Sequence, residues 1–230
     1  MSINQLSMKK SILFLMVLVL STSSFAKKGE GWIGLKGGIN FASAATDYTN
    51  VNIKSITGYN AGLVLGGLMG KSNVLFETSF LYSTKGYNCF PDETPGSRKT
   101  QLNYIEWPVN FGYRIKLTDN FHLSPVIGFY SAYALSGKET YEATSNGIKG
   151  SISKDIKFGD KVGEYIKWDL GLNCGLNVDY KGFQVSARYI PGIGPVDPNQ
   201  KIGNVTAHGE TSSRVISVSV AYLFRIKKKS

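Results

Sequence analysis

The sequence predicts an all-β fold, an eight-stranded antiparallel up-and-down transmembrane β-barrel behind a cleavable signal peptide. Three observations predict it. From Lys167 to Ile190 the chain alternates strictly, with Trp168, Leu170, Leu172, Cys174, Leu176, Val178 and Tyr180 on one parity and Asp169, Gly171, Asn173, Gly175, Asn177 and Asp179 on the other. A period of two belongs to strands. The polar parity is made of small residues with few charges, which suits a crowded interior better than a solvated face. The apolar parity ends in aromatic rings, as a lipid-facing strand does at the two headgroup levels.

The N-terminus reads as a targeting segment. Lys9 and Lys10 precede the apolar run Ile12 to Leu20, and Ser24-Phe25-Ala26 is a small-x-small cleavage site. This divides the chain into a signal peptide, 1–26, and a barrel domain, 27–230. The whole chain carries a net charge of +10, and +8 once Lys9 and Lys10 are removed, with 24 basic against 16 acidic residues. Much of the surplus lies at Lys27-Lys28 and Lys227-Lys228-Lys229, where tails near anionic headgroups explain it. No basic face with interleaved stacking residues points to nucleic acid. Charged residues are only 18%, beside 42% hydrophobic, 26 Gly and 13 Tyr, and no internal run is long enough for a membrane helix. A membrane crossing therefore requires a closed barrel, in which every backbone group is paired.

The central hairpin turns at Lys181-Gly182, which sets Tyr180 opposite Phe183 and Val178 opposite Val185. In chain order the other strands are Trp32 to Phe41, Thr57 to Leu68, Val74 to Gly86, Gln101 to Leu117, Phe121 to Gly137 and Arg214 to Ile226. Ser124, Gly128, Ala132 and Ser136 face inward on the fifth. Pro108 cannot donate to a neighbouring strand, so a bulge is expected there. The connections alternate long and short. The long ones are Ala42 to Ile56, Tyr87 to Thr100, Lys138 to Tyr165 and Pro191 to Ser213, the pattern of surface loops against periplasmic turns.

Cys89 falls in a Pro-rich loop and Cys174 on the apolar parity of a strand, so a disulfide between them is not expected. No zinc spacing occurs, and no cofactor motif is present. The chain has two histidines. His208 lies in a surface loop near Ser212 and Ser213, His122 begins a strand at the periplasmic mouth, and neither completes a triad, so no enzyme is predicted. The informative polar residues are Lys36, Glu77, Lys85, Glu106, Arg114, Lys167, Asp169 and Arg188, all on the inward parity. A barrel of eight strands is wide enough only for side chains, and unpaired charge there is costly, so an ionic network is expected. The first pair is Glu77 with Arg114, and Arg188, opposite Gly175, reaches toward Glu106. Three other readings stay open, a narrow gated conduit for ions or small solutes, a soluble ligand-binding barrel with its apolar face inward, and a surface enzyme built on a barrel.

The opening Leu35-Lys36-Gly37-Gly38-Ile39-Asn40, the strand Asn103-Tyr104-Ile105-Glu106-Trp107-Pro108, the Pro125 to Tyr133 strand and the Gly182-Phe183-Gln184-Val185-Ser186-Ala187-Arg188-Tyr189 arm, taken in order, resemble the PorT-like outer-membrane β-barrel family of Bacteroidota. The resemblance spans essentially the mature chain. It implies an eight-stranded barrel in the cell outer membrane, surrounded by outer-membrane lipid and inserted by the barrel assembly machinery. It says little about biochemical role. An accessory part in protein secretion is the role of the name-giving member. The basic residues after Phe224 depart from the aromatic last residue common in such barrels. Surface loops meeting an extracellular ligand or protein are the leading expectation for function.

Overall fold

A computed structural model describes residues 30–46, 50–91, 96–145, 148–159, 163–197, 200–202, 205–207 and 211–226. The signal segment, His208 and Lys227-Lys228-Lys229 lie outside them. The strands are β1 (Gly31–Thr46), β2 (Val51–Leu68), β3 (Val74–Pro91), β4 (Gly96–Tyr113), β5 (Ile115–Lys116), β6 (Phe121–Ser145), β7 (Ile148–Asp155), β8 (Trp168–Tyr180), β9 (Phe183–Asp197), β10 (Gln200–Ile202), β11 (Val205–Ala207) and β12 (Thr211–Ile226). All the strand pairs are antiparallel. Among the described residues eight strands close a ring, β1, β2, β3, β4, β6, β8, β9 and β12, with β12 returning to β1. Closure leaves no open edge through the belt where lipid would meet it.

Side-chain parity runs as the alternation predicts. Leu35 is 63% and Ile127 66% exposed on the outside, while Glu77 is 0% and Lys85 2% exposed within. A soluble barrel with its apolar face inward is therefore overturned, because its outer surface would be water-facing and polar. Aromatic rings mark two levels. Tyr180, Phe183, Tyr222 and Phe224 lie at the short-turn end, with Phe183 and Tyr222 rings 5.0 Å apart. Tyr59 stacks on Tyr82 at 5.8 Å and Tyr133 meets Trp168 at 5.0 Å toward the other end. The 13 residues of β8 join the two levels. At about 3.3 Å per residue and a tilt of about 40°, they rise about 30 Å, close to the apolar band of such barrels.

The hairpin register holds residue for residue, with Val178 opposite Val185, Tyr180 opposite Phe183 and Arg188 opposite Gly175. Lys181 takes φ +48° and Gly182 φ +93°, the left-handed pair that a two-residue turn between twisted strands requires. In the turn between β5 and β6, Lys116 and Asp119 form a 2.6 Å ion pair. Their hydrogen bond raises the Lys116 amine and lowers the Asp119 carboxyl, yet so exposed a pair adds little.

Four expectations are corrected. Most of the presumed long loops are strand: β1 to β4 run past the outer aromatic level, and 138–145 of β6 pairs with 148–155 of β7. Beyond the lipid both faces of a strand can be polar, so the alternation that identifies strands disappears while the backbone pairing continues. Pro108 makes no bulge, since the β3–β4 register is unchanged on either side of it. On β4 a register shift lies instead between Asn103 and Tyr104, opposite Ser136 and Ala134. Leu135 is the extra residue, and one extra residue reverses facing. Ala134 is thus buried and Ser136 exposed, not inward. Cys89 lies on β3 rather than in a loop, buried, and the two cysteines form no disulfide.

Candidate functional site: the barrel lumen

Glu77 projects from β3 into the lumen because Phe76 and Thr78 occupy the alternate parity. Its carboxylate lies 3.3 Å from Arg188 Nη2 and 4.0 Å from Lys36 Nζ. The other oxygen accepts hydrogen bonds from Asn177 Nδ2 at 3.1 Å and Gln184 Nε2 at 3.2 Å. Arg188 also donates to Asn177 Oδ1 and to the Leu176 carbonyl. The bare position opposite Arg188 is structural: a Cβ on Gly175 would collide with the Ala187 carbonyl oxygen and lie 2.9 Å from Arg188 Cδ. Gly175→Val is expected to reduce refolding into micelles severely, read as loss of the heat-modifiable folded band on electrophoresis.

A second cluster lies nearer the outer end. Lys85 Nζ is 2.7 Å from Glu106 and 3.2 Å from Asp169, and 4.0 Å from the Tyr130 ring centroid. Tyr130 donates to Asp169 at 2.8 Å. Between the clusters Asn60 donates to Asn40 at 2.8 Å, and Asn40 to Ser83 at 3.1 Å. A cavity of about 20 Å³ opens among Lys36, Asn40, Glu106, Asn110, Asn173 and Arg188, room for one water. The buried cations Lys36, Lys85, Arg114 and Arg188 equal the buried carboxylates Glu77, Glu106, Asp169 and Asp179 in number, so the buried charges balance.

The residues singled out from sequence divide unequally. Six of them, Lys36, Glu77, Lys85, Glu106, Asp169 and Arg188, form these two clusters. Arg114 does not pair with Glu77, because the β3–β4 register sets Asn110 opposite Glu77. Arg114 instead contacts Glu30 at 3.0 Å and stacks 4.7 Å from the Trp32 ring at the periplasmic mouth. Arg188 meets Glu77 and not Glu106, whose carboxylate is held by Lys85. Lys167 is exposed, since β8 begins only at Trp168. His122 is buried at the periplasmic mouth.

Sequence reasoning missed two apolar layers that bracket the charges. Trp32, Val64, Leu75, Val126 and Leu223 fill the periplasmic end of the lumen. Tyr104, Tyr130, Tyr165, Ile190 and Val215 belong to the layer at the outer end, against which Ile156 and Phe158 pack. The signal was present in Val64, Leu75 and Val126, apolar residues on the inward parity.

Comparison with curated proteins finds no match. Among solved structures the chain is similar to Ail, the attachment invasion locus protein of Yersinia pestis, at 16% identity over 86% of this chain and 99% of that one, with a TM-score of 0.41. It is also similar to Neisserial surface protein A, at 12% identity over 84% and 97% of the two chains, TM-score 0.38. Residues 24–197 match the family described as outer membrane protein beta-barrel domain. With three quarters of its length matched and a closed antiparallel ring whose apolar side chains face outward, the chain belongs to the outer-membrane β-barrel protein family.

Proposed function

We propose that this protein is a non-enzymatic outer-membrane barrel whose lumen is closed and whose work is done by the strands and loops projecting outside. The observation that carries this reading is the stack of an apolar layer, a balanced ionic layer and a second apolar layer. Each apolar layer would have to be wetted, and each ion pair broken, before solute passed. Planar-bilayer recording of the refolded chain is expected to show no conductance steps. The polar cavity favours a second reading, a narrow gated conduit, and reproducible single-channel steps in the same recording would establish it in place of the first. Loops on a rigid scaffold are where binding concentrates, so a pull-down from native outer membranes should retain partners that a version lacking Lys138 to Tyr165 loses. The order of the sequence motifs supports a PorT-like branch within the family, and the N-terminal pattern supports export by a cleaved signal peptide followed by insertion through the barrel assembly machinery.

A further inference from the structure

The outer wall beyond the aromatic belt carries a cationic face. Register places Lys54 opposite Asn88 and Asn88 opposite Lys99, so two lysines flank one amide in a single row across β2, β3 and β4. The row continues to Thr140 and Ser153, whose hydroxyls are 3.0 Å apart. Lys138 lies one row nearer the membrane, opposite Gln101. Lys54 Nζ sits 4.6 Å from the Phe90 ring centroid, which holds it on the outward face, and all three lysines are exposed. Among the described residues, the outward ones of β2 to β4 at this level, Asn52, Lys54, Asn88, Phe90, Ser97, Lys99 and Gln101, include no carboxylate. Asp155 and Glu142 enter only on the β6–β7 side.

Depth selects the partner. Lys54 is five residues beyond Tyr59, Lys99 six beyond Ile105 and Lys138 five beyond Tyr133. At about 3.3 Å per residue and about 40° of tilt, these lysines stand about 12–15 Å past the belt. A phospholipid headgroup layer extends only about 5–8 Å from the hydrocarbon. A convex wall flush with lipid, polar and cationic at that height, fits a larger anionic headgroup. We propose that Lys54, Lys99 and Lys138, with Gln101 and Thr140, bind the phosphorylated saccharide headgroup of outer-leaflet glycolipid. The lysines meet phosphate, and the amide and hydroxyl meet sugar hydroxyls. This holds whether or not the lumen conducts.

The test refolds the full chain into phosphatidylcholine vesicles containing phosphorylated lipopolysaccharide, the same lipopolysaccharide after enzymatic dephosphorylation, or phosphatidylglycerol. Glycolipid bound per barrel is titrated after detergent extraction, and heat-modifiable mobility confirms folding. Binding is expected only with the phosphorylated form. It should weaken about fivefold for each of Lys54→Gln, Lys99→Gln and Lys138→Gln, and further as salt is raised. Equal binding of the dephosphorylated form, equal binding of phosphatidylglycerol, or a folded triple variant that binds like the parent would each overturn the proposal.

Discussion

Glu77→Ala is expected to destabilise the barrel by about 3–5 kcal/mol, the usual cost of removing one partner from a buried ion pair. The carboxylate is fully buried and has four partners, Arg188, Lys36, Asn177 and Gln184. Its removal strands two cations beside a cavity with room for about one water, too little to solvate both. Urea unfolding in micelles, followed by tryptophan fluorescence, measures the loss. The companion variant Glu77→Gln/Arg188→Met removes one charge of each sign and should recover most of it, since a neutral, well-filled replacement of a buried pair is often tolerated. A single variant as stable as the parent would show that the ionic layer is hydrated after all.

Ile127→Arg should cost about 2–4 kcal/mol in a bilayer, because a charge at the midplane of the lipid face has no partner. Ile127 lies midway along the part of β6 that joins Phe121 to Tyr133, and it is 66% exposed to whatever surrounds the barrel. The same substitution at Lys138, beyond the outer aromatic level, should change stability within about 0.5 kcal/mol. Unfolding in lipid vesicles separates the two. If Ile127→Arg were as mild as Lys138→Arg, the outward face would not be in lipid, and the orientation of the strands would be refuted.

Much of the barrel was legible because lipid imposes a simple rule on each strand separately. An alternation such as Leu170, Leu172, Cys174 and Leu176 against Asp169, Gly171, Asn173 and Gly175 states which side is out without reference to any other strand. The turn at Lys181-Gly182 then sets the hairpin register locally. Where the rule lapses, so did the reading. Val51 to Ser55 and Tyr87 to Pro91 are paired strands that looked like loop, since outside the bilayer neither face is constrained to be apolar. Leu135 could not be recognised as a bulge, because an extra residue is visible only against the partner strand.

The class of fold, the facing of nearly every belt residue and seven of the buried charges were legible in the sequence, because each follows from solvent contact one strand at a time; Asp179, on the same inward parity, is buried as well. Which charges meet is a property of the folded barrel. Glu77 reaches Arg188 across the lumen, 111 positions away in the chain, while Arg114 turns to Glu30 and Lys167 stays outside. Partners across a barrel depend on how far each strand slides past the next, and that offset is the joint product of every hairpin, bulge and closing pair.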